Sequence, residues 1–270
     1  MNLTGAVAVV TGGAGALGRT IAQAYLAQGA KVVLVDLSED DLRSAVSALE
    51  QAGRQVIGVA ADVTKPEQVE AMAHQAAAFG PVGILVNCAG TLTAIGPVWE
   101  VDPDKWLRDV MVSLYGSFLC CRAIIRPMIE RRRGYILNFF GGGTTPQAYM
   151  TGYVSAKAAL LLFTECLAKE VSEYGVKVFA VRPGPIRTGL NESLISGPEG
   201  AKWRPDFRRI FDEGKAASPG RIADLAIALV GGKADALSGR LFHAEGDFDA
   251  VITNEAAILE RDLRTLRVRE

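Results

Sequence analysis

The chain has 270 residues, a 49% hydrophobic composition and a formal net charge of -1. That length buries one large core without forcing a split into two domains. The near-zero charge excludes a general attraction for nucleic acid or an anionic membrane.

No continuous apolar run reaches the ~18 residues of a membrane span. The first residues pass straight into a strand pattern with no secretory leader, which points to the cytoplasm. Cys88, Cys120, Cys121 and Cys166 sit in apolar segments without metal-ligand spacing and read as reduced core thiols. His74 and His243 are the only histidines, and neither pattern suggests a metal site or a histidine triad.

In chain order, residues 6–10 form a short β-branched run that reads as a buried strand. The small-residue cluster 11–18 follows, then a helix over about 16–28 that Gly29 stops. Residues 31–36 are a second strand. Ser38 and Asp41 open the next helix as a capping box, with an end near Gly53. Residues 55–60 are a strand, 66–79 a helix and 83–86 a strand running into Asn87-Cys88-Ala89-Gly90.

Asp102-Pro103 is a cap-plus-N1 pair opening a long helix toward Ile129, which Pro127 should end or bend. Residues 134–139 are a strand, followed by three glycines. A helix covers 153–173 and a strand 176–181, which leads into Arg182-Pro183-Gly184. Residues 189–218 read as an insertion. A helix over 219–230, a strand over 239–243 and a helix over 254–266 complete the chain.

Strands alternate with helices throughout. The pattern predicts an α/β fold: a doubly wound parallel sheet of about seven strands, helices on both faces, one domain over 1–270. In such sheets a ligand binds beyond the C-terminal strand ends. The glycine cluster, Asp36, Asp62-Val63, the turn 87–90, the loop 141–145 and the segment 183–188 all fall there. The glycine turn leads into a helix N-terminus, which attracts a dinucleotide pyrophosphate. Asp36 ends the second strand eighteen positions after Gly18, placed for an adenosine ribose diol. It repels a 2′-phosphate, and Leu37 brings no cation, so the reading favours NAD over NADP.

Tyr153 and Lys157 are four apart and share a helix face. A lysine cation there favours tyrosinate and pulls the phenol below its ordinary value, which suits proton exchange with an alcohol or carbonyl.

TGGAGALG at 11–18, the acid at 36, DV at 62–63, NCAG at 87–90, YVSAK at 153–157 and RPGPIRT at 182–188 stand in one order and spacing. Through these motifs the chain resembles the compact short-chain dehydrogenases/reductases over essentially its whole length. The resemblance implies a Rossmann-type sheet, a nicotinamide cofactor, Tyr153 as general acid/base and Lys157 as its tuner and ribose ligand. It implies a cofactor bed from Gly12, Ala14, Ala16, Leu17 and Gly18, with Asp36 and Leu37 at the ribose. Asp62 and Val63 would flank the adenine. Asn87, Ala89 and Gly90 would line the centre, and Pro183, Gly184, Ile186 and Thr188 would meet the carboxamide. It also implies a homotetramer or dimer built through the long helices at about 103–129 and 153–173.

Three positions depart from the family pattern. Ala16 stands where a glycine is usual, beside Gly15. Ser113 replaces the asparagine that holds a relay water near the lysine. No serine lies between Asn138 and Tyr153, and the expected serine position is Phe140, next to Gly141. Thr144 or Thr145 supplies the missing hydroxyl if the loop folds inward. Otherwise the amides of 141–143 donate directly, or carbonyl reduction is impaired.

The main reading is therefore an NAD(H)-dependent interconversion of a secondary alcohol and a ketone. A dinucleotide-binding sensor or assembly partner with weak redox activity, and an isomerase using NAD transiently, stay open beside it. Substrate contacts are assigned to Phe140, Gly141, Thr144 and Trp203. The aromatic and basic run 201–211 suits a polar, acidic or sugar-like substrate, or else packs as an amphipathic helix. The tail 261–270 is expected to cross a subunit contact or fray.

Overall fold

A computed structural model describes residues 2–50, 55–142 and 144–268. The predicted end of the second helix near Gly53, the Gly143 amide and residues 269–270 lie outside them. Strands β1 (Val7–Thr11), β2 (Lys31–Asp36), β3 (Val56–Ala60), β4 (Val82–Asn87), β5 (Gly134–Phe139), β6 (Val176–Arg182) and β7 (Leu241–His243) form one sheet. Its order is β3-β2-β1-β4-β5-β6-β7, and every pairing is parallel. The order reverses between β1 and β4, and their C-terminal ends open the crevice that holds the site.

Alternation along each strand feeds two cores. Ala8 and Val10 of β1, with Val32 and Leu34 of β2, pack under α1 (Ala16–Ala27), α2 (Glu39–Glu50) and α10 (Pro219–Leu229). Val7, Val9, Val33 and Val35 face α3 (Pro66–Phe79), α5 (Gly116–Glu130) and α6 (Thr151–Glu170). A strand apolar on both faces is stable only between two helix layers, and each fully buried Val contributes about 1.5–3 kcal/mol there.

The long helix differs from its predicted form. It begins as α4 (Pro103–Val110), widens to a π-turn over Met111–Tyr115 and continues as α5. Pro127 does not end it; the helix runs to Glu130, where the missing proline N–H removes a single bond near the last turn. The whole stretch Pro103–Glu130 is long and apolar enough to span a membrane by length and composition, although charged residues interrupt its apolar run. Half of its apolar window is buried inside the protein, and α5 packs on β4, β5 and α3.

The segment after β6 is not one loop. It folds as α7 (Gly189–Ile195), α8 (Pro198–Trp203) and α9 (Pro205–Asp212). The predicted C-terminal helix is also shorter. After α11 (Phe248–Thr253) and α12 (Glu255–Glu260), positive φ at Asp262 and Arg264 turns the chain back to the sheet.

There the Arg264 carbonyl accepts from Leu241, Leu266 donates to Glu165 at 2.7 Å and Arg267 pairs with Glu165 at 2.6 Å. The tail thus packs on its own chain through Arg267. Cys120 and Cys121 are core thiols as predicted, Cys88 is half-buried and Cys166 is exposed.

Buried Asp109 fastens the crevice wall to α4. Its carboxylate accepts from the Thr93 amide, the Thr93 hydroxyl and the Ala94 amide at 2.9–3.0 Å. Asp109→Ala leaves those donors without an acceptor and should lower unfolding stability by about 2–4 kcal/mol in chemical denaturation. A loss below about 0.5 kcal/mol would show that other contacts hold the wall.

Candidate active site

The glycine turn is built by close approach of two strands. Gly12 has φ +65, and a Cβ there would stand 3.1 Å from the Ala89 backbone. A Cβ on Gly18 would overlap the Gly12 carbonyl. Gly15 caps α1 with no side-chain hydrogen bond, and the first turn holds no acid. Its N–H groups therefore face a cavity of ≈ 330 Å³ lined by Gly12, Gly15, Ala16, Leu17 and Gly18. Ala16 sits in this bed without obstruction. Ala14 does not line it, since its N–H is taken by Asp36 Oδ2 at 3.0 Å.

Asp36, Leu37, Asp62, Val63, Ala89 and Gly90 line the same cavity. Asp36 is held by Ala14 on one oxygen and by the Leu37 amide on the other, at 2.8 Å. Asp62 takes the Thr64 amide and hydroxyl on Oδ1. Its partial burial opposes ionisation, but those bonds and the Arg108 and Lys65 charges leave its carboxyl below the ordinary value. Arg108, at the same end, is a lining residue that sequence reasoning missed.

The expectation that Asn87 lines the cavity is corrected. Its side chain is buried beneath the floor, donating to Asn138 at 2.8 Å, and Asn138 donates to Thr164 of α6 at 2.9 Å. Thr11, also missed, accepts the Cys88 and Ala89 amides at 3.1 Å and shapes the 87–90 turn.

A second cavity of ≈ 390 Å³ adjoins the first, and Leu17, Cys88, Gly90, Thr188 and Leu190 line both. Tyr153, Lys157, Gly141, Pro183, Gly184 and Ile186 line the second. Lys157 is buried and donates to the Phe139 carbonyl at 2.9 Å, with Nζ 5.7 Å from the Tyr153 ring centroid.

The predicted lowering of the Tyr153 phenol is not found. Burial raises it, helped by Cys88 and Asp109. Burial also holds the Lys157 ammonium down to about 8, against a small opposing pull from Cys88. Desolvation penalises whichever form is charged and here outweighs the mutual effect of the pair.

Ser113 lies in the π-turn behind Gly90, fully buried, with no partner for its Oγ among the described residues. A Cβ on Gly90 would stand 3.6 Å from Lys157 Nζ and 3.7 Å from Ser113 Oγ, so the two groups flank one point. Ser113 reaches neither cavity.

The Phe140 side chain packs in a cluster with Leu161, Ala180 and Leu241, and the residue borders the cavity as expected. Two predicted substrate contacts move. Thr144 and Thr145 are exposed on the loop and bring no hydroxyl inward. Trp203 stacks on Tyr149 at 4.9 Å and presses the α8 end onto the loop at Gly96, so it packs rather than lines.

Gln147, Arg182, Asn191 and Arg204 line the cavity instead. Arg204 is buried and binds Gln147 at 3.1 Å and Asp206 at 2.9 and 3.0 Å. The one sequence signal for these was the basic run around Trp203, where the neighbour proved to be the liner.

The short chain dehydrogenase family model matches residues 6–199. A 2,3-dihydro-2,3-dihydroxybenzoate dehydrogenase of Bacillus subtilis is 32% identical over 86% of this chain and 92% of its own length. A 2-(S)-hydroxypropyl-CoM dehydrogenase of Xanthobacter autotrophicus is 32% identical over 93% of this chain and 99% of its own. A crystal structure of an actinorhodin polyketide ketoreductase variant with NADPH superposes with a TM-score of 0.81 at 28% identity, covering 88% and 95% of the two chains.

The buried lysine predicts a pH signature. Its folded-state value lies below its unfolded one, so between them the unfolded chain binds more protons and stability rises with pH. Ligand-free Lys157→Met should therefore gain stability over the parent near neutrality. That advantage should shrink by about 2 kcal/mol between about pH 7 and about pH 10 in urea titrations. A constant difference would contradict the placement.

Proposed function

Because this chain belongs to the short chain dehydrogenase family, an oxidoreductase family that binds a nicotinamide dinucleotide, we propose an NAD(H)-dependent enzyme. It interconverts a secondary alcohol and a ketone, with Tyr153 as general acid/base. The observation that carries this reading is the buried Tyr153–Lys157 pair lining the second cavity, beside Gly90, which lines both. When bound, the nicotinamide supplies or accepts the hydride.

The chain's own residues do the rest. The 12–18 turn holds the pyrophosphate, and Asp62 and Val63 flank the adenine. The main chain at Ala89 and Gly90 borders the centre, and the 183–188 segment faces the carboxamide. Tyr153 stands as a protonated phenol and delivers its proton to a carbonyl oxygen in reduction. Lys157 holds the Tyr153 helix to the Phe139 carbonyl behind the phenol, and Ser113 Oγ lies beside the ammonium. Since no hydroxyl-bearing residue between 138 and 152 lines the cavity, the Gly141 and Gly142 amides hold the substrate oxygen, and no acceptor among the described residues takes them.

Asp36 supports NAD over NADP. Its carboxylate is fixed by two amides, and Leu37, 59% exposed, offers no cation. Gln147, Asn191, Arg182 and Arg204 support a polar alcohol, acidic or sugar-like. Exposed Phe118 and Leu162, on α5 and α6, support a dimer or tetramer through those helices; the cytoplasm is the proposed location.

With NAD(H) and a panel of polyols, hydroxy acids and their ketones, the parent protein should show turnover. Tyr153→Phe should lose at least ~100-fold in kcat/KM; undiminished turnover would sink the acid/base assignment. NADH should bind about tenfold more tightly than NADPH in fluorescence titration, and Asp36→Ser should narrow the gap. Equal parent affinities would remove Asp36 from cofactor selection.

A further inference from the structure

Gly141 follows β5 where a side chain would meet the phenol. A Cβ built there would overlap Tyr153 Oη and stand 3.0 Å from Cζ and 3.5 Å from Cε1. The obstacle is space and not backbone conformation. Gly142 has φ +81, whereas Gly141 is outside the positive-φ region that strains L-residues.

Neither side can recede. Below, the Phe140 N–H donates to the Val181 carbonyl at 2.8 Å, and the Phe140 ring is locked among Leu161, Ala180 and Leu241. Above, Tyr153 is packed with Leu92, Ile95, Met150 and Leu194, and its helix is tied down by Lys157 bonding the Phe139 carbonyl.

We infer that Gly141 is a positioning residue, whose missing side chain lets the Tyr153 hydroxyl lie against the main chain at the end of β5. The inference rests on the reading of Tyr153 as acid/base. It also deepens that reading: the phenol occupies the volume a serine side chain at 141 would need. A hydroxyl introduced at 141 therefore displaces the proton donor and does not assist it. Close packing makes such an insertion costly even when the added group is small.

The test is a double-mutant cycle on the full chain. Gly141→Ala, made alone, should lower Tm by about 5 °C. Made in Tyr153→Phe, which lacks the overlapped oxygen, the same substitution should lower Tm by less than half as much. A loss more than half as large in the Phe background, or no loss beside Tyr153, overturns the inference.

Gly141→Ser should lower kcat about 100-fold while NADH affinity stays within about threefold, because a displaced acid affects the chemical step and not cofactor binding. A Gly141→Ser enzyme as active as the parent also overturns it. Undiminished turnover in Tyr153→Phe alone would instead defeat the acid/base reading, and the Tm cycle would still decide whether the phenol packs on Gly141.

Discussion

The Lys157 ammonium donating to the Phe139 carbonyl is the bond on which the site depends. It ties α6 to the end of β5 and so fixes the distance between the helix carrying Tyr153 and the strand end carrying Gly141. A buried ammonium with one protein acceptor is unstable unless its surroundings are rigid. The Asn87–Asn138–Thr164 chain gives that rigidity, joining β4, β5 and α6 directly beneath. Thr11 extends the brace to β1 by holding the 87–90 turn.

The same burial shapes the electrostatics. Desolvation raises the phenol and lowers the ammonium, so each group is driven toward its neutral form. A pair four apart on an exposed helix would behave in the opposite sense, each charge favouring the other. Depth in the protein reverses the rule that spacing alone suggests. Ser113, whose oxygen has no partner among the described residues, is buried beside the lysine.

Small residues carry much of the site's shape. Gly12 and Gly18 let the β1 turn close on itself and on Ala89, and Gly141 lets the phenol reach the main chain. One side of the second cavity is built by the segment after β6, whose three short helices bring Arg204 under cover and hold it with Asp206 and Gln147. Trp203, adjacent in sequence, points to Tyr149 and clamps that segment down.

Much of the fold was legible because it rests on local periodicity. Apolar runs doubly buried along β1, β2, β4 and β5 can form only the interior of a parallel sheet, and the glycine turn and Asp36 mark strand ends by residue type. What periodicity does not encode is which way a residue at a strand end or in a loop will face. Asn87 turned inward because Asn138 stands opposite it in register. Phe140 packed among Leu161, Ala180 and Leu241, which α6, β6 and β7 bring together. Asp262 and Arg264 ended a helix that composition favoured.

The sequence by itself therefore determined the sheet, the glycine turn and the Tyr153–Lys157 spacing, since each depends on neighbours close in the chain. Only the tertiary structure decided which side chains line the cavities and which way burial shifts the pair, because those follow from contacts between residues far apart.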